Sequence, residues 1–239
     1  MTVHIRHRSD RVNLKLVMPL GVPRRTQGAN ICSHLGQFRD RVWLMRHTTF
    51  RFVLAPTSEQ ARTLARHCGA SRFAFNQCLQ LVTDALAVRK TDPSVKVPWS
   101  SFDLINAFNR WKTSEGAGRV FAVAPDGTTT KQVTGLSWRK EVSSQVFEEA
   151  AVDLSRGLAR HAQWGDRRVG FPKHKRKGRG KDSFRVRNKK APDGRPGIRV
   201  GEVHPRSVTL PKIGTVRVHD DSRRLLRLRM LRPLTSSSP

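Results

Sequence analysis

Between Thr48 and Pro56 the chain alternates, with Phe50, Phe52 and Leu54 on one side and Thr49, Arg51 and Val53 on the other. A two-residue period with one apolar face predicts a half-buried strand within residues 45–56. Thr57, followed three residues later by Gln60, forms a capping box, and Ala61, Leu64, Ala65 and Cys68 then step along one helical face as far as Gly69. A second run opens at Ser71 with Phe75, Cys78, Leu79, Val82 and Leu86 spaced by three and four. This predicts a second helix, and so a helix-turn-helix hairpin about Gly69 and Ala70. The hairpin fits a DNA-reading motif or a plain helical pair closing a small core, since the second helix offers few polar residues beyond Arg72, Asn76, Gln77 and Gln80.

Thr91 to Pro98 reads as a connection, and Ser101 as the cap of a short helix carrying Leu104, Ile105, Phe108 and Trp111. Residues 113–137 are weakly patterned, with a hairpin expected at Asp126-Gly127. The longest helix is expected from about Lys140 to Gln163, with Val142, Val146, Ala150, Leu154 and Leu158 on its apolar face. Short strands return at Ile198 and Val200, Val208 and Leu210, and Val216 and Val218, separated by Pro205, Pro211 and Gly214. One strand before the helices and several after residue 183 point to an α+β fold: a small antiparallel β-barrel split by a helical insertion at 57–166. Residues 1–44 follow neither period and read as an unstructured leader, either a basic arm or a stretch upstream of a true start at Met45. Residues 220–239 read as a disordered tail.

Charge changes this picture. A formal net charge of +28 and a pI near 11.7 point to a polyanion, because a phosphate backbone relieves the self-repulsion and releases its own condensed counterions. The excess peaks between Arg167 and Lys190, where twelve Lys and Arg stand against one acid, Asp182. Solvated faces usually mix signs. Lys173, Lys175, Arg176, Lys177, Arg179, Lys181, Arg185 and Arg187 are therefore the expected nucleic-acid contacts, with Arg51 on the strand and Arg72 and Asn76 on the hairpin. Ser143, Ser144 and Gln145 stand near a helix start, where free N–H groups and the dipole favour phosphate, although polar residues there also serve as plain caps. Cys32, Cys68 and Cys78 are odd in number and lack metal-ligand spacing, which suits core thiols in a reducing cytoplasm. No cofactor, metal, small-molecule substrate or membrane partner is expected, and no apolar run reaches the roughly 20 residues of a membrane span.

Six stretches then follow one another in a recognisable order: Phe50-Arg-Phe-Val-Leu-Ala-Pro-Thr-Ser-Glu-Gln60, Gly69-Ala-Ser-Arg-Phe-Ala-Phe-Asn76, Glu141-Val-Ser-Ser-Gln-Val146, Gly170-Phe-Pro-Lys-His-Lys175, Asp182-Ser-Phe-Arg185 and Leu210-Pro-Lys-Ile-Gly-Thr-Val-Arg217. Together they resemble the N-terminal half of the transposon-encoded OrfB/TnpB proteins, transposases related to the RNA-guided nucleases of type V CRISPR systems. The resemblance implies that residues 45–56 and 167–219 form a wedge domain with an oligonucleotide-binding-like barrel, and that residues 57–166 form the recognition domain. It implies guide RNA and target DNA as partners, at the nucleoid, with base pairing reading sequence while the protein reads duplex shape and a short flanking motif. Gln145 falls where the family's Gln faces that flanking DNA, and Gln suits bidentate contact with adenine.

The family cuts DNA with an RNase H-like domain whose three carboxylates hold two metal ions. That domain is expected to be absent, and Asp193, Glu202, Asp220 and Asp221 read as turn residues. The expectation is a truncated transposase of a mobile element that binds guide RNA and DNA but lacks the catalytic carboxylates. The alternative is a stand-alone RNA-binding protein of ribosomal or chaperone type, which would share the charge and the small barrel.

Overall fold

The computed structural model describes residues 2–8, 11–21, 45–164, 169–179, 182–190 and 193–221. In chain order its elements are β1 (Thr2–Arg8), β2 (Arg11–Gly21), β3 (Met45–Ala55), α1 (Ser58–Arg89), α2 (Ser101–Trp111), β4 (Arg119–Val123), β5 (Thr129–Val133), α3 (Ser144–Trp164), β6 (Asp182–Arg187), β7 (Arg199–Val200), β8 (Ser207–Leu210) and β9 (Gly214–Val218). Seven of these strands make one antiparallel sheet in the order β6-β1-β2-β3-β9-β8-β7.

The alternation read in β3 is the alternation observed: Phe52 and Leu54 are buried with Leu14 and Leu16 of β2 and Ile5 of β1. The split-sheet expectation also holds, since Leu54 pairs with Val218 and Ala55 with Arg217 across the helical insertion. Two expectations are corrected here. Residues 2–8 and 11–21, read as part of an unstructured leader, form the paired strands β1 and β2 between β6 and β3 in the sheet. Val12, Leu14 and Leu16 do keep a period of two, but β1 is too polar to announce itself. A chain beginning at Met45 would leave Phe52 and Leu54 without their β2 neighbours. Residues 22–44 and the tail from 222 lie outside the described residues. The second correction is that the sheet does not close into a barrel. β7 is two residues long, and its approach to the end of β6 is a single bridge between Lys190 and Pro196, whose ring nitrogen has no N–H to extend a ladder.

Helix α1 is the longest, at 32 residues, and it runs unbroken through Gly69 and Ala70 where a turn was expected. Its buried positions Leu64, His67, Cys68, Ala70, Ser71, Ala74, Phe75, Cys78, Leu79 and Val82 form one continuous stripe across the glycine. Burial of that stripe outweighs the roughly 1 kcal/mol that Gly costs in a helix interior relative to Ala. A Cβ added at Gly69 would meet nothing within 4 Å. Gly69→Ala is therefore expected to stabilise the fold by about 0.5–1 kcal/mol, raising Tm by a few degrees in a thermal melt. A left-handed turn glycine would give the opposite sign.

The Thr57–Gln60 capping box is present, with Gln60 Nε2 also donating to Thr215 O of β9 at 2.9 Å, which ties the helix start to the sheet. Ser100, one residue before the expected Ser101, caps α2 by accepting from Asp103 N. A 3-10 turn over Ser137–Lys140 precedes α3, which starts at Ser144 and buries Val146, Phe147, Ala150, Ala151, Leu154 and Leu158 against α1 and α2. β4 and β5 form the hairpin expected about Asp126-Gly127, with Gly127 at φ +80°.

Candidate nucleic-acid interface

The segment 169–179 has no regular structure, yet helices on two sides hold it. Asn76 of α1 brackets the backbone of Lys175, accepting from its N at 2.7 Å and donating to its O at 2.9 Å. Phe171 packs edge-on against His161 of α3, and Pro172 lies over Gly157, where a Cβ would meet the proline ring at 3.3 Å. Lys175 sets its ammonium 3.9 Å from the centre of the Phe75 ring, and burial holds its pKa below the usual lysine range. A loop anchored at Phe171, Pro172 and Lys175 presents the side chains between and after them in fixed directions.

Those side chains line a cleft of about 770 Å³ together with α1 and the start of β6. Its walls carry Lys173, His174, Lys175, Arg176 and Arg179 from the loop, Cys68, Ser71 and Arg72 from α1, and Asp182 and Ser183 from β6. Asp182, the acid among these walls, is paired with Arg72 at 2.5 Å. Lys173, Arg176, Lys177 and Arg179 make no ion pair among the described residues. The cleft is thus a concentration of uncompensated positive charge on a rigid support.

Three further cations of the basic run, Arg185, Arg187 and Lys189, are compensated. Arg185 pairs with Asp153 and with Glu149, whose side chain is 5% exposed, and Arg187 pairs with Glu149 at 2.5 Å and with Glu148 at 3.3 Å. Lys189 pairs with Glu148 at 2.6 Å. This α3–β6 network is why so basic a segment folds against its own protein. The composition of 167–190 alone concealed it, although the acids at 148, 149 and 153 were visible on the polar side of the helix. Arg185, Arg187, Arg72 and Asn76 are therefore structural partners here. Arg51 is exposed on the outer side of β3 opposite Lys15, away from the cleft, and Lys181 lies outside the described residues, as do Arg167 and Arg168.

Ser143, Ser144 and Gln145 sit at the start of α3 and do not line the cleft. Ser143 is buried, and its N–H donates to Nε2 of His67 at 3.3 Å. Gln145 Oε1 is buried without a hydrogen-bond partner among the described residues, while Ser144 is exposed. His67 was not singled out by its sequence. It is fully buried between Thr63 O, 2.8 Å from Nδ1, and the Ser143 N–H, and its ring lies 5.2 Å from Phe184 of β6. Both contacts are satisfied by the neutral ring with its proton on Nδ1. Burial, only partly offset by the Thr63 contact, holds the pKa below the ordinary 6.5. The unfolded chain therefore binds this proton first. Stability should be full above pH 6.5 and fall as pH drops from there towards the lowered value, by up to about 1.4 kcal/mol per unit. Denaturant titrations of wild type and His67→Gln across this window check it, since the variant should lose that share of the slope.

The thiols of Cys68 and Cys78 are buried and free, and burial pushes each up to about 12, with the Asp182 charge adding to the rise at Cys68. They behave as core thiols, and Cys32 lies outside the described residues. No helix is long and apolar enough to cross a membrane among the described residues.

Residues 45–91, covering β3, α1 and its exit, match the model of the helix-turn-helix domain of the OrfB/IS605 family. The match takes in the whole of α1, which is continuous where a turn would divide it. Two Mycobacterium tuberculosis proteins, named "Putative RNA-guided DNA endonuclease MT2953" in strain CDC 1551 / Oshkosh and "Putative RNA-guided DNA endonuclease Rv2885c" in strain ATCC 25618 / H37Rv, are each 30% identical over 190 residues. Each match covers 75% of this chain and 35% of the relative, so the chain spans about a third of the length of these curated relatives. The helix-turn-helix match, whose long helix forms one wall of the cleft, joined to similarity across three quarters of the chain, supports the resemblance to the OrfB/TnpB family.

Proposed function

We propose that this chain is the guide-RNA- and DNA-binding portion of an OrfB/TnpB-type transposase, acting at the nucleoid, and that nucleic acid lies along the cleft between the 169–179 loop, α1 and β6. The observation that carries this is the contrast within one basic run. Arg185, Arg187 and Lys189 are neutralised by carboxylates of α3, whereas Lys173, Arg176, Lys177 and Arg179 are held out by an anchored loop and make no ion pair among the described residues. A phosphate backbone supplies the missing charge. The relatives' printed names favour RNA-guided recognition, in which the protein holds an A-form heteroduplex by shape and backbone while pairing reads sequence.

The acids of residues 193–220 are engaged by nearby groups. Asp193 accepts from Arg195 N, Glu202 pairs with Arg199, and Asp220 accepts from Val53 N. Among the described residues no group of three or more His, Cys, Asp or Glu is placed to hold a metal ion. The test is a competition between an RNA–DNA heteroduplex, a DNA duplex and a single-stranded RNA of equal length, with Mg²⁺ present. Preferential retention of the heteroduplex without strand cleavage is the expected result. Equal retention of all three would leave a nonspecific basic protein, and cleavage dependent on this chain would overturn the reading of its acids.

A further inference from the structure

The outer face of the sheet carries a second unmatched positive surface. Lys15 of β2 and Arg51 of β3 stand opposite one another in register. Arg217 of β9 points to the same side, because its pairing with Ala55 is out of phase with the inward Leu54–Val218 pair. Arg217 and Arg206 are exposed and, with His219, line a cleft of about 300 Å³ beside Ala55 and Val218. None of the four Lys and Arg side chains makes an ion pair among the described residues. The acid nearest in sequence, Asp220, turns one carboxylate oxygen to Val53 N at 3.4 Å.

This surface is distinct from the loop cleft. The cleft lies at the β6 edge beside α1, and the outer-face residues lie on β2, β3 and β9 and just before β8, from two to five strand positions away. At about 4.8 Å per strand, β9 and β6 are roughly 19 Å apart along the sheet. The backbone groups at the smaller cleft are already paired, with Val218 N bonded to Arg206 O and His219 N to Val53 O. A ligand there would be held by side-chain charge. The volume is at the lower limit for an enclosed small-molecule pocket, while two guanidiniums that can each grip a phosphate by two N–H groups suit a phosphodiester. We infer that Arg51, Arg206 and Arg217 form a second, independent phosphodiester-backbone site on the outer face of the sheet, so that one chain holds two segments of nucleic acid at once.

The probe is a dT oligonucleotide of about eight nucleotides, a length one small binding surface accommodates, carried as donor-labelled and acceptor-labelled copies. Wild type should bind two copies per chain and give energy transfer between them. The variant Arg51→Gln/Arg206→Gln/Arg217→Gln should bind one copy, give no transfer, and lose about 2 from the slope of log affinity against log salt summed over both sites. A variant with Lys173, Arg176, Lys177 and Arg179 all changed to Gln should also bind one copy. One copy per wild-type chain, or two copies on the outer-face variant, would overturn the inference. If the loop variant still binds two copies while the outer-face variant binds one, the outer site stands and the cleft reading falls. Should the triple variant fail to fold, Arg206→Gln and Arg217→Gln singly should each lose about 0.7 from the slope, and an unchanged slope in both would count against the site.

Discussion

Changing Lys173, Arg176, Lys177 and Arg179 together to Gln should make the dependence of affinity on salt shallower by about 2.8 on single strands and about 3.6 on duplex, one phosphate contact being lost per side chain. From 50 to 200 mM salt, these four contacts account for a loss of about 50- to 150-fold in wild-type affinity, and the variant should lack that share. The four side chains are exposed and make no ion pair among the described residues, so the far-ultraviolet circular dichroism and the melting temperature should stay close to wild type. Neutralising Arg223, Arg224, Arg227 and Arg229 in the tail should reduce the slope less. A quartet variant that keeps the full slope, alongside tail substitutions that abolish binding, would place the affinity elsewhere.

Arg185 belongs to the same basic run, yet its replacement should act on folding. Among the described residues, Arg185→Ala leaves Glu149, nearly fully buried, with Arg187 alone as an ion-pair partner, and removes the Arg185 partner of Asp153. Removing one member of a buried pair typically costs about 3–5 kcal/mol, because the charge left behind remains desolvated. The variant should unfold at much lower denaturant, and any loss of binding should follow loss of fold. The charge-free double change Arg185→Met with Glu149→Gln should recover part of that stability, since most of the cost is the stranded carboxylate. If Arg185→Ala keeps wild-type stability and loses affinity alone, Arg185 is a phosphate contact and the network is incidental.

These opposite expectations for two arginines and lysines of one run mark the limit of what its composition could tell. Charge density identified the segment correctly as unusual. It could not separate Arg179, which faces a cleft, from Arg185, which faces a helix, because that depends on which strand the run enters and on what packs beside it. Local periods were legible where both faces of an element contrast, as in β3 with Phe50, Phe52 and Leu54, in the apolar stripe of α3 and in the capping box at Thr57. They misled at Gly69, where a helix-weakening residue suggested a turn but the buried stripe on either side continued in phase. The β1–β2 pair was missed because its polar face is dense in Arg, Lys and His, so three alternating apolar residues in β2 looked isolated. Asn76 and Phe75 lay inside a quoted motif, but their roles as the anchors of Lys175 depend on a contact across about a hundred residues of chain.

The account rests on nucleic acid occupying the cleft formed by the 169–179 loop, α1 and β6. The most direct measurement is photo-crosslinking of an RNA–DNA heteroduplex carrying photoreactive bases to the intact protein, with the modified peptides mapped by mass spectrometry. Crosslinks concentrated at residues 170–179 and at Ser71, Arg72 and Ser183 are predicted. Crosslinks confined to the 222–239 tail or to the β4–β5 hairpin, with the loop peptides unmodified, would contradict it.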